Sequence, residues 1–102
     1  MEQWEQDLMS LNSQMARMSI LAAKAMSEHD FKTSIEYFRG MAHISSQKAC
    51  ALRKLSKTHK NRVEKKMMID SAKQLFGSRA EWLKQAEMIK EMEGRNGSAK
   101  DY

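Results

Sequence analysis

The chain has no proline, one cysteine and only four glycines in 102 residues. Without proline the commonest helix breaker is missing. What remains is rich in Ala, Met, Leu, Lys, Glu and Gln, which lose little freedom in a helix. A lone cysteine, Cys50, excludes a disulfide framework and fits a reducing compartment. Flanked by Ala49 and Ala51, it reads as a half-buried helical thiol with no activating neighbour. No apolar run approaches the ~18 residues that mark a membrane-spanning helix. The opening Met-Glu-Gln-Trp-Glu is acidic, which argues against a secretory signal. There is no glycine-rich phosphate loop. His29, His43 and His59 stand alone, with no second His or Cys at a metal-ligand spacing. The expectation is therefore a protein without catalytic residues, metal or cofactor.

What is present is helical periodicity. In the first segment Trp4, Leu8, Leu11, Met15, Met18, Ala22 and Ala25 recur at alternating gaps of four and three, close to a heptad. Ile20, Leu21 and Met26 are expected to widen that face. This predicts a helix from about Glu2 to Glu28. Ser27-Glu28-His29-Asp30 supplies a turn, with Asp30 as N-cap. A second stripe follows with the same gaps: Phe31, Ile35, Phe38, Ala42, Ser45, Ala49 and Leu52, flanked by Met41, Ile44 and Leu55. Gly40 sits inside it at a cost of about 1 kcal/mol relative to alanine. Thr58-His59-Lys60-Asn61 makes the second turn, and Asn61 with Glu64 suggests a capping box.

The third stripe is Met68, Ala72, Leu75, Trp82, Ala86 and Ile89, with Ile69, Phe76 and Leu83 beside it. Arg79 takes the interior slot between Leu75 and Trp82, while Phe76, Ala80 and Leu83 are expected to face the bundle. The apolar phase runs unbroken across Gly77-Ser78, which favours one helix over two. Most of the ten methionines fall on or beside the stripes and read as core filling. Met67 and Met68 are adjacent, so one of them is free to line an outer groove.

The fold class expected is all-α: three long antiparallel helices in an up-down-up bundle, each burying its stripe against the other two. The bundle spans residues 1–93, and residues 94–102 read as a flexible tail.

Charge is unevenly spread. Residues 1–30 carry −3, residues 31–60 carry +6 and residues 61–102 carry +2. The excess gathers in Arg53, Lys54, Lys57, Lys60, Arg62, Lys65 and Lys66, interrupted only by Glu64. Such a patch suits an anionic partner. It contains no aromatics, which argues against single-stranded nucleic acid.

Two short motifs carry a resemblance. The first is Ala22-Ala23-Lys24-Ala25, then Asp30-Phe31, then Ser34-Ile35-Glu36-Tyr37-Phe38. The second is Phe76-x-x-Arg79-Ala80-Glu81-x-Leu83-Lys84. Over about residues 18–90 the chain resembles the MIT (microtubule interacting and trafficking) domain, a three-helix bundle. Gly77 stands where members that bind helical peptides between helices two and three often carry an apolar residue. The resemblance implies a non-catalytic adaptor that holds a helical or extended peptide in an inter-helix groove, in ESCRT-linked membrane trafficking or autophagy. The groove residues expected are Met68, Lys73, Gly77, Glu81 and Lys84. The partners it implies are ESCRT-III-type tails or a subunit of an autophagy kinase complex. The compartment it implies is the cytoplasm, at endosomes or autophagosomes.

Two alternatives rest on the residues themselves. Trp4, Leu8 and Leu11 extend the first heptad beyond what a three-helix core requires, which suits a homo-oligomer through helix one. The basic patch suits microtubules or peripheral contact with anionic membrane.

Overall fold

A computed structural model describes the backbone of residues 2–100 and the side chains of residues 2–94. Its three helices are α1 (Gln3–Ser27), α2 (Phe31–Thr58) and α3 (Arg62–Lys100). No strand occurs among the described residues. The boundaries follow the capping chemistry. At the start of α1 the Glu5 carboxylate accepts from the Glu2 amide at 3.4 Å. Asp30 caps α2 by accepting from the Thr33 amide at 3.3 Å. Asn61 Oδ1 caps α3 by accepting from the amides of Val63 at 2.9 Å and Glu64 at 3.3 Å. The reciprocal half of the expected capping box is not made, because the Glu64 carboxylate turns to His59 Nε2 at 3.3 Å.

The α1–α2 turn needs one residue in the left-handed region, and His29 supplies it with φ 58°. The Asp30 amide then donates to the Ala25 carbonyl at 2.9 Å and the His29 amide to that of Met26 at 3.1 Å. These bonds satisfy carbonyls that the end of α1 would otherwise leave bare.

α3 passes through Gly77-Ser78 as one uninterrupted helix. A Cβ on Gly77 would meet nothing within 4 Å, so that glycine is not there for a close approach. Gly40 differs: a Cβ there would lie 2.8 Å from Met18 Sδ, which marks where α1 crosses close to α2. The expected tail, residues 94–102, falls on a stretch whose side chains lie outside the described residues from 95 onward.

α2 is the middle helix. It packs against α1 and against α3, but among the described residues α1 and α3 never bring Cα atoms within 8 Å. This corrects the expectation that each stripe packs against both neighbours. The buried residues of α2 explain it. Ser34, Ile35, Met41, Ala42, Ile44, Ser45, Ala49 and Ser56 spread over roughly half the helix circumference at 100° per residue, wide enough to serve two partners. The molecule measures 64 × 22 × 14 Å. A closed triangle of helices at about 8–10 Å spacing would have similar lateral dimensions, whereas these are unequal, as in an open layer.

The core is built from small side chains. Ala22, Ala25, Ala42, Ala49, Ala72, Ala86, Ser34, Ser45 and Ser56 are buried, against only Ile35, Met41, Ile44 and Ile89 among larger residues. Small residues let helices approach closely, but each contributes little apolar area. The densest cluster joins Ile35 to Ala86 and Ile89, with Met26, Phe31 and Phe38 packed against it.

Five residues are reassigned by burial. Ile20 does not widen the α1 face; it is 71% exposed. The slot between Leu75 and Trp82 is taken by half-buried Ser78, while Arg79 is exposed. Phe76 and Ala80 are exposed instead of facing the bundle, and Leu83 is half-buried. Cys50 is exposed rather than half-buried. A period of 3.6 assigns a stripe but tolerates a neighbour on either side: Met68, Ala72, Leu75, Trp82, Ala86 and Ile89 are all buried or half-buried as inferred, and only in the slot between Leu75 and Trp82 does the adjacent residue take the inner place.

Candidate functional site

A recess lies between α2 and α3. It is an open cleft of about 830 Å³ lined by Phe38, Gly77, Ser78, Glu81, Trp82 and Gln85. α3 presents Gly77, Ser78, Glu81, Trp82 and Gln85 there because they fall at helical spacings of three and four. Phe38 reaches across from α2 and stacks on Trp82, with ring centroids 5.8 Å apart and planes inclined 30°. The two rings form an apolar wall. Gly77 leaves the adjoining space open, since no side chain projects from it. Ser78 Oγ donates to the Gln74 carbonyl at 3.2 Å, so its hydroxyl is already engaged. Glu81 forms no salt bridge among the described residues. Arg39, the cation nearest in sequence to Phe38, pairs instead with Glu87 at 3.9 Å.

Chemically, this recess offers an apolar shelf beside an uncompensated carboxylate. It suits an apolar side chain laid on Phe38 and Trp82 with a cation reaching Glu81.

Of the five groove residues expected from the sequence, the cleft brings together Gly77 and Glu81. Met68 lies elsewhere, in a recess of about 400 Å³ with Trp4, Leu52, His59, Glu64, Met67 and Ser71. Lys73 and Lys84 are exposed and line neither recess. The sequence reading missed Phe38, Trp82, Ser78 and Gln85. The two aromatics had been absorbed into the core stripes. Gly77 and Ser78, about one helical turn before Trp82, were the available sign that the ring had a free side.

A third recess, about 340 Å³, runs along the open trough over α2. Leu8 and Asn12 of α1 border it on one side and Ser71, Gln74, Leu75 and Ser78 of α3 on the other, with Lys48 and Leu52 between.

All seven basic-patch residues, Arg53, Lys54, Lys57, Lys60, Arg62, Lys65 and Lys66, are exposed. They surround the α2–α3 turn. Among the described residues no group of three or more His, Cys, Asp or Glu is placed to hold a metal ion. No helix of the described residues is long and apolar enough to cross a membrane. Compared with family models, curated proteins and solved structures, the chain gives no significant match.

Proposed function

We propose that this chain is an up-down-up, MIT-like adaptor that binds a helical or extended peptide in the α2–α3 cleft. The observation that carries the reading is the stacked Phe38–Trp82 wall beside unpaired Glu81 and the side-chain-free Gly77. An amphipathic peptide laid along the cleft would bury an apolar anchor on the two rings and set a basic residue against Glu81. The motifs from Ala22 to Phe38 and from Phe76 to Lys84 favour an ESCRT-III-type tail or an autophagy kinase-complex subunit as its source. The working place would then be the cytoplasmic face of endosomes or autophagosomes.

Titrating the isotopically labelled chain with ESCRT-III-type tail peptides tests this. Shifts should localise to the Trp82 indole and the Gly77 amide, and Glu81→Lys should weaken binding by about tenfold through loss and reversal of one rim charge. Shifts that are absent, or spread evenly over all three helices, would sink the assignment.

A second reading is favoured by α1. Trp4, Leu8, Leu11, Met15 and Met18 hold the predicted stripe, yet all are only half-buried, and full burial begins at Ala22. The first four turns therefore retain apolar surface for a second copy. Sedimentation at high concentration decides it, since a strict monomer rules self-association out.

A further inference from the structure

We infer that the α2–α3 end of the molecule docks peripherally on an anionic lipid bilayer, using Val63 and Met67 as apolar contacts inside the basic patch. This surface is distinct from the peptide cleft and does not depend on it.

The basic residues alone would suit any polyanion. What narrows the choice is the apolar surface set among them. Val63 is 68% exposed and Met67 is 64% exposed. They are four residues apart at the start of α3, so they share one face. Arg62 and Lys66 adjoin them, and Lys60 lies in the turn just before. Met67 also borders the recess that holds Trp4, so an amphipathic indole stands at the same end of the molecule. Tryptophan, cation-rich helix and exposed aliphatic side chains together are what an interfacial segment presents to headgroups and upper acyl chains. Double-stranded nucleic acid, read through its phosphates, gives no role to an exposed Val–Met pair.

Three acids at this end are held by contacts within the chain, each keeping its negative charge, and are outnumbered by the seven cations of the patch. Glu64 pairs with His59 at 3.3 Å, the Glu5 carboxylate accepts from the Glu2 amide, and Glu2 accepts from the Trp4 indole N–H. Asp70 lies one turn further along α3. The positive charge at the beginning of α3 also opposes the helix dipole, which favours acids there. Arg62, Lys65 and Lys66 thus run against local stability, as residues kept for a partner do.

The test is flotation of the full chain with phosphatidylcholine vesicles, with and without phosphatidylserine. Binding should require phosphatidylserine and weaken with salt. Lys60→Gln with Lys66→Gln should lower affinity about thirtyfold, from the usual contribution of two cations at an anionic surface. Val63→Ser with Met67→Ser should lower it about tenfold or more while leaving the charge intact. All four positions are exposed, and unchanged helicity and melting of each variant confirm that the fold is retained. Three results overturn the inference: equal binding without phosphatidylserine, full affinity in the Val63/Met67 variant, or retention by duplex DNA or microtubules with no vesicle binding. Peptide titration of the same variants stays normal if the cleft works as proposed, so the two readings fail separately.

Discussion

Replacing Gly77 with alanine separates the stability of this protein from its binding. Gly77 lies in the middle of a continuous helix, is exposed, and has no atom within 4 Å of where a Cβ would stand. Nothing opposes the added methyl. The full difference in helix propensity should then appear, about 0.8–1 kcal/mol in favour of alanine. Part of that gain comes from the unfolded chain, which alanine leaves with fewer conformations to lose. For a domain of this length the gain corresponds to a rise in Tm of about 4–8 °C.

Gly40→Ala is the internal control. The propensity gain is the same, but the new Cβ would lie 2.8 Å from Met18 Sδ. The thioether must swing away, and Met18 lies on the α1 stripe that packs on α2, so the net gain should fall below that at Gly77. Thermal and urea melts of both variants give the answer. If Gly77→Ala is neutral or destabilising, or if Gly40→Ala gains as much, then the helix through Gly77 or the α1–α2 crossing is not as described. The stabilised Gly77→Ala protein should nevertheless bind peptide more weakly, because the methyl projects into the space beside Trp82.

Three further outcomes follow from the same geometry. His29→Gly should stabilise by about 1 kcal/mol in urea unfolding, since glycine adopts the left-handed φ of the α1–α2 turn without a Cβ clash. A smaller gain would reflect loss of the edge-on contact of the His29 ring with Phe31 at 5.9 Å. Met41→Ala should cost about 2–5 kcal/mol, because Met41 is the largest fully buried side chain and faces a core with few other bulky residues to collapse inward. A loss below 1 kcal/mol in the same assay would mean that the α2 interior is looser than it looks. Ser45→Ala should be neutral or stabilising by about 1 kcal/mol, since the buried Ser45 hydroxyl has no hydrogen-bond partner among the described residues. Clear destabilisation on calorimetry would refute that account.

The sequence by itself determined the helices, their turns and most of their inward faces. Local chemistry is enough for this: Asp30 and Asn61 cap the helices they precede, and the four-three spacing from Trp4 to Ala25 leaves no other face to bury. Continuity of phase across Gly77 likewise marked α3 as one helix. Tertiary structure decided what periodicity leaves degenerate. A stripe names a face but not its neighbour, and only packing made α2 the central helix, with α1 and α3 flanking an open trough. Only packing placed Ser78 rather than Arg79 between Leu75 and Trp82, because both positions border the same face and the spacing alone does not say which of them turns inward. Phe38 and Trp82 lie some forty residues apart in sequence, and their stacking beside Gly77 and Glu81 exists only because two small-residue helix faces approach closely enough to bring them together.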